Sequence, residues 1–90
     1  MQNPHAETLA LHALAFLAAD GDALVRFLTQ SGLELEDLRA RAGDTELLAA
    51  VLDFLLADDA LLTAFTDGER ISAQRVHAAR RALPGATPET

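Results

Sequence analysis

Ninety residues with no Cys, Trp or Tyr and a net charge of −7 describe one small domain and exclude disulfides, thiol chemistry and thiolate metal sites. Residues 1–43 hold three Arg against six acids and residues 44–90 four Arg against eight, so neither half offers the basic field that general nucleic-acid binding requires. The longest apolar runs, 13–19 and 47–52, fall short of the ~20 residues needed to span a bilayer. The first residues lack the basic start and apolar stretch of a secretory signal, so the expectation is a cytoplasmic protein without a membrane.

Periodicity and capping residues predict six helices. Residues 1–4 precede the first, with Pro4 at or just before its opening turn. Helix 1 is expected over about 5–19, its large residues Leu9, Leu11, Leu14, Phe16 and Leu17 leaving a stripe of Thr8, His12, Ala15 and Ala19. Asp20 caps helix 2, about 22–30, and Gly32 stops it with a positive φ. Helix 3 is short, about 35–42, with acids Glu34, Glu36 and Asp37 at its start and Arg39 and Arg41 toward its end, as the helix dipole favours. Asp44 caps helix 4, about 45–57. Asp58-Asp59 separates it from helix 5, about 59–66, and Asp67-Gly68 reads as a turn. Ser72 caps helix 6, about 73–83, with Ile71 and Val76 placed as a hydrophobic staple and Pro84-Gly85 as its end. Residues 85–90 are expected to be disordered.

Helix 4 carries the strongest signal. In residues 47–56 only Asp53 is not apolar, and the large side chains cover about half of a helical circumference or more. A helix so widely apolar must be contacted on several sides, which places it at the centre. With 17 Leu, 4 Phe, 3 Val and 1 Ile, the chain can fill a core without disulfides.

The halves also resemble each other. Leu14-x-Phe16-Leu17-Ala18-Ala19-Asp20 matches Leu52-x-Phe54-Leu55-Leu56-Ala57-Asp58 at an offset of 38, Leu24 and Leu28 match Leu61 and Phe65 at 37, and Leu33 and Leu38 match Ile71 and Val76 at 38. The fold expected is all-α, a compact six-helix bundle made of two pseudo-repeated three-helix units, about 5–43 and 44–83, around helices 1 and 4. In a pseudo-twofold packing the stripes Thr8/His12/Ala15/Ala19 and Glu46/Ala50/Asp53/Ala57 meet, and His12 and Asp53 form a buried polar pair. The alternative is that both stripes face solvent.

No motif carries reaction chemistry. His5 and His12 share a helix face, but their spacing and the sparse carboxylates nearby do not make a metal site. The acids at 20/22 and 58/59 sit where helix caps belong. The five glycines are scattered, without a phosphate loop. The expectation is no enzyme, no cofactor and no metal. The one basic cluster is Arg75, Arg80 and Arg81, with His77 and Arg70 nearby, set against the acidic start of helix 3. This asymmetry points to a protein partner or a homodimer, with Val25, Leu33, Leu35 and Leu62 as apolar contact candidates. A DNA-associated regulator using the helix 6 arginines and a small-molecule or lipid-binding bundle are the alternatives.

The stretches ALAFLAADGDALVRFLTQSGL, LLAAVLDFLLADDALLTAF and ARRALPG resemble a small bacterial domain-of-unknown-function family, number 3572, of alphaproteobacteria. The resemblance covers about residues 5–85. It implies no activity and no catalytic residues. A Pro expected near Leu35 is missing here, so the start of helix 3 is where the chain departs from the pattern.

Overall fold

A computed structural model describes residues 4–83, and they form six helices: α1 (Pro4–Ala18), α2 (Gly21–Ser31), α3 (Leu35–Ala40), α4 (Thr45–Leu56), α5 (Asp59–Glu69) and α6 (Ala73–Ala82). No strand occurs among the described residues, and the all-α six-helix expectation holds. The tail expectation for 85–90 and the Pro84-Gly85 stop lie outside the described residues.

Local chemistry sets the boundaries. Asp20 Oδ1 accepts from the Ala23 amide at 3.2 Å, Asp58 Oδ1 from Leu61 at 3.1 Å, Asp44 Oδ1 from Glu46 at 2.8 Å and Ser72 Oγ from Arg75 at 3.3 Å. Each satisfies a donor that the first helical turn leaves without a partner. At α3 the side chain of Asp37 accepts from the Glu34 amide at 2.9 Å. Gly32 closes α2 with φ 76°, its amide donating to Leu28 O at 2.9 Å.

One boundary differs. Asp67-Gly68 is not a turn: α5 runs on to Glu69 and ends at Arg70, which takes the left-handed conformation at φ 57° and ψ 45°. The Ile71 amide then donates to Thr66 O at 3.0 Å, the six-to-one closure of a helix end. A glycine inside a helix costs about 1 kcal/mol relative to alanine. Burial of Phe65 and Thr66 in the same turn offsets that cost and carries the helix through.

α4 occupies the centre. Leu47, Leu48, Ala49, Val51, Leu52, Phe54 and Leu55 are all buried, and α1, α2, α5 and α6 pack around the helix. Two edge-to-face aromatic contacts tie the layers: Phe16 with Phe65 at 5.5 Å and Phe27 with Phe54 at 5.4 Å between centroids.

Of the two arrangements open to the α1 stripe, the solvent-facing one is observed, and α1 meets its neighbours through another face. Its buried residues are Ala6, Ala10, Ala13 and Leu17, spaced as one helical stripe. Thr8, His12, Ala15 and Ala19 are exposed, as are Glu46, Asp53 and Ala57, while Ala50 is half-buried. The pale stripes therefore point away from the core. The reason is steric: alanines let α1 lie close to its neighbours, while Leu9, Leu14 and Phe16 pack from the flanks. Leu11 is left 42% exposed.

The halves correspond locally. Asp20 and Asp58 both cap, Gly32 and Arg70 both end helices in the left-handed region, and Phe27 and Phe65 are both buried. These pairs keep an offset of 38, which corrects the offset of 37 for the second helices. The third helices part company: α6 packs on α1, α4 and α5, whereas α3 has no comparable partner. The molecule as a whole is not packed as a twofold.

Asp58 serves twice. Besides capping α5, its Oδ2 accepts from Arg26 Nη1 of α2 at 3.1 Å, and the Arg26 guanidinium lies 5.9 Å from the Phe54 ring centroid. The Leu61 amide and then Arg26 hold the Asp58 carboxyl below its ordinary value. Since the folded-state value is the lower one, this stabilisation is complete above the unfolded value of about 3.9. It fades as pH falls through the folded value.

Two predictions follow from this packing. Ala10→Leu overfills the α1 contact and should lower stability by about 1–3 kcal/mol, while Ala15→Leu on the exposed stripe should stay within about 0.5 kcal/mol, both read by urea denaturation. Asp58→Asn keeps a capping oxygen but removes the charge. It should be less stable than wild type at neutral pH, with the gap closing once pH falls well below about 4.

Candidate interaction face

Ser72 begins α6 so that Arg75 falls in its first turn. Val76, Ala79 and the following Leu83 turn inward, while Arg75, His77, Ala78 and Arg81 are exposed. Packing of α6 on α1 brings this outer side beside His5, Leu9 and His12. Three shallow concavities result. One is lined by His5, Ala6, Leu9, Arg75, Ala78 and Ala79. A second runs toward Thr8, His12, Glu69 and Ile71, and a third along α6 past Ser72, Gln74, His77 and Arg81. Arg75 lines all three. Leu9, Ile71, Ala78 and Ala79 supply apolar surface, Arg75 and Arg81 supply positive charge, and Glu69 adds a negative charge on the α5 side.

The three arginines singled out from the sequence separate. Arg80 turns toward α4, where its Nε donates to Asp53 Oδ1 at 2.6 Å. Its side chain is only 15% exposed, against 58% for Asp53. Arg80 is thus built into the fold, which removes it from the partner-binding set. Arg75 and Arg81 form no ion pair among the described residues.

His12 and Asp53 do not pair with each other. His12 Nδ1 donates to Glu69 Oε1 at 3.0 Å, joining α1 to the end of α5, and Asp53 is taken by Arg80. Both residues are exposed, because the stripes that carry them face away from the core. The expectation of a buried polar pair is corrected accordingly.

Among the apolar candidates, Val25 on α2 is 61% exposed and Leu35 on α3 45% exposed. Leu33 and Leu62 are half-buried against the core, so they contribute to packing more than to an outer surface. None of the four lines the concavities around Arg75. His77, read from the sequence as a neighbour of the Arg cluster, belongs to this face, as does His5, which was not grouped with it. The shared helix face of His5 and His12 was legible; the arrival of α6 beside it was not.

The remaining chemistry is structural. The acids at 20, 44 and 58 are occupied by helix amides, and the Glu46 amide and then Arg41 hold the Asp44 carboxyl low. No group of three or more His, Asp or Glu side chains converges into a metal site among the described residues. No single described helix is long and apolar enough to cross a membrane, and the direction changes by 113° between α1 and α2.

Together these features define a small all-α domain with a concave α1/α6 face bordered by Arg75 and Arg81. Residues 3–86 match the model of the family described as "Protein of unknown function (DUF3572)", and the chain belongs to that family. No curated protein and no solved structure matches it.

The two classes of arginine should separate experimentally. Arg80→Ala removes both the Asp53 contact and packing of the aliphatic stem, and should cost about 1 kcal/mol. Arg75→Ala and Arg81→Ala should each stay within about 0.5 kcal/mol. Thermal unfolding followed by circular dichroism gives the comparison.

Proposed function

We propose that this chain is a non-enzymatic protein-interaction module that works in the cytoplasm through the α1/α6 face. The observation that carries the reading is the position of Arg75 and Arg81. Arg75 borders the apolar patch of Leu9, Ala78 and Ala79, Arg81 lies beyond Ala78, and neither has an ion-pair partner among the described residues, in a chain of net charge −7. Elsewhere Arg26, Arg41 and Arg80 are paired with Asp58, Asp44 and Asp53, while Arg39 and Arg70, which also form no ion pair among the described residues, line none of these concavities. Unpaired guanidinium groups around desolvatable carbon are suited to an acidic protein surface, where charge sets orientation and the apolar floor adds affinity.

Duplex DNA is the weaker reading. Arg80 is already engaged by Asp53, and the surrounding negative field opposes a polyanion of high charge density. A small-molecule role is weaker too, because these grooves are shallow and open, unlike ligand pockets that enclose most of their occupant.

A photo-crosslinking side chain at position 78, introduced in cells that express the protein, tests the reading. Discrete crosslinked protein products are expected, and Arg75→Glu with Arg81→Glu should deplete them at least fivefold while leaving helicity unchanged. Products insensitive to the charge reversal, or no products at all, would refute it.

A further inference from the structure

Within that reading of the α1/α6 face, on which this inference rests, we infer that the face receives α3 of a second copy of the chain. α3 is attached lightly: Leu38 is its only buried residue, and no other helix packs on it as α1 packs on α4. Leu35 stands 45% exposed between exposed Glu34 and Glu36. Neither glutamate forms an ion pair among the described residues, while Glu34 and Asp37 share the capping box at the helix start, which leaves the Glu34 charge without a cationic partner. The element is thus an acidic knob with an apolar tip. The α1/α6 face is its complement: Leu9, Ala78 and Ala79 form an apolar patch beside Arg75, and Arg81 lies beyond Ala78 in the adjoining groove.

Knob and socket are different surfaces of one molecule. Their contact is therefore heterologous, and every copy added leaves one knob and one socket open, so assembly is head-to-tail. One short helix in a shallow groove buries less than a standard interface, so the association is weak and transient. Net charge opposes it, since each copy carries −7. At physiological salt, however, the Debye length is about 8 Å, so repulsion between whole molecules is largely screened while contacting charges are less so. The sign of the salt dependence then reports which term wins.

Sedimentation of the full chain over a range of concentrations supplies the test. Wild type should self-associate beyond a two-chain species, and raising salt from about 0.05 to about 0.5 M should weaken that association severalfold as contacting charges are screened. Arg75→Ala with Arg81→Ala, and separately Glu34→Gln with Glu36→Gln, should each weaken it at least tenfold with helicity unchanged. Mixed in equal amounts, the two variants should recover a two-chain species that grows no further, because only one intact knob and one intact socket remain. A wild type that stays monomeric, an association that strengthens with salt, or a mixture that remains monomeric overturns the inference. If wild type is monomeric but the crosslinks at position 78 still depend on Arg75 and Arg81, only the self-contact fails and the interaction face stands.

Discussion

The close contact made by the alanine side of α1 is the constraint on which the rest of the fold depends. Ala6, Ala10 and Ala13 are buried almost completely, and their size lets α1 lie near α4 and α6 at once. Alanine contributes little transfer free energy itself. Its value is geometric, because a short interaxial distance allows the larger side chains on both flanks to enclose α4. The seven buried residues of α4 then become one continuous core instead of a helix with a wet edge.

Polar groups divide between holding this arrangement and remaining available. The capping aspartates satisfy helix amides, and Asp58 additionally reaches across to α2 through Arg26. Arg80 and Asp53 join α6 to α4, while His12 and Glu69 join α1 to α5. No buried side-chain polar atom lacks a partner among the described residues, which is what a 90-residue chain without disulfides needs. Against that background, Arg75 and Arg81 make no such contact among the described residues and, unlike the equally unpaired Arg39 and Arg70, line the concave α1/α6 face.

Much of the fold was legible because it rests on short-range signals. Asp20, Gly32, Asp44, Asp58 and Ser72 act locally, and each helix boundary they set was readable within a residue or two. The apolar excess of residues 47–56 placed α4 at the centre for the same reason. The contact face of α1 was not readable. Periodicity finds large apolar residues, and here the inward side is built from small ones while Leu11 faces out. The offset match between the halves encouraged a symmetric pairing of His12 with Asp53, yet α3 and α6 pack differently. The Arg cluster was visible as composition, but its division into Arg80 and the outer pair depends on which way α6 is rotated. That rotation is set by Val76, Ala79 and Leu83 seeking the core.

The light attachment of α3 has a kinetic consequence. A six-residue helix that gives the core one leucine can detach at the cost of that side chain's burial, while α1, α2, α5 and α6 still enclose α4. Its backbone amides would then exchange with solvent through small, frequent openings, while those of α4 wait for global unfolding. The molecule would behave as a stiff body carrying one loosely latched flap, with two rates of breathing in a single domain.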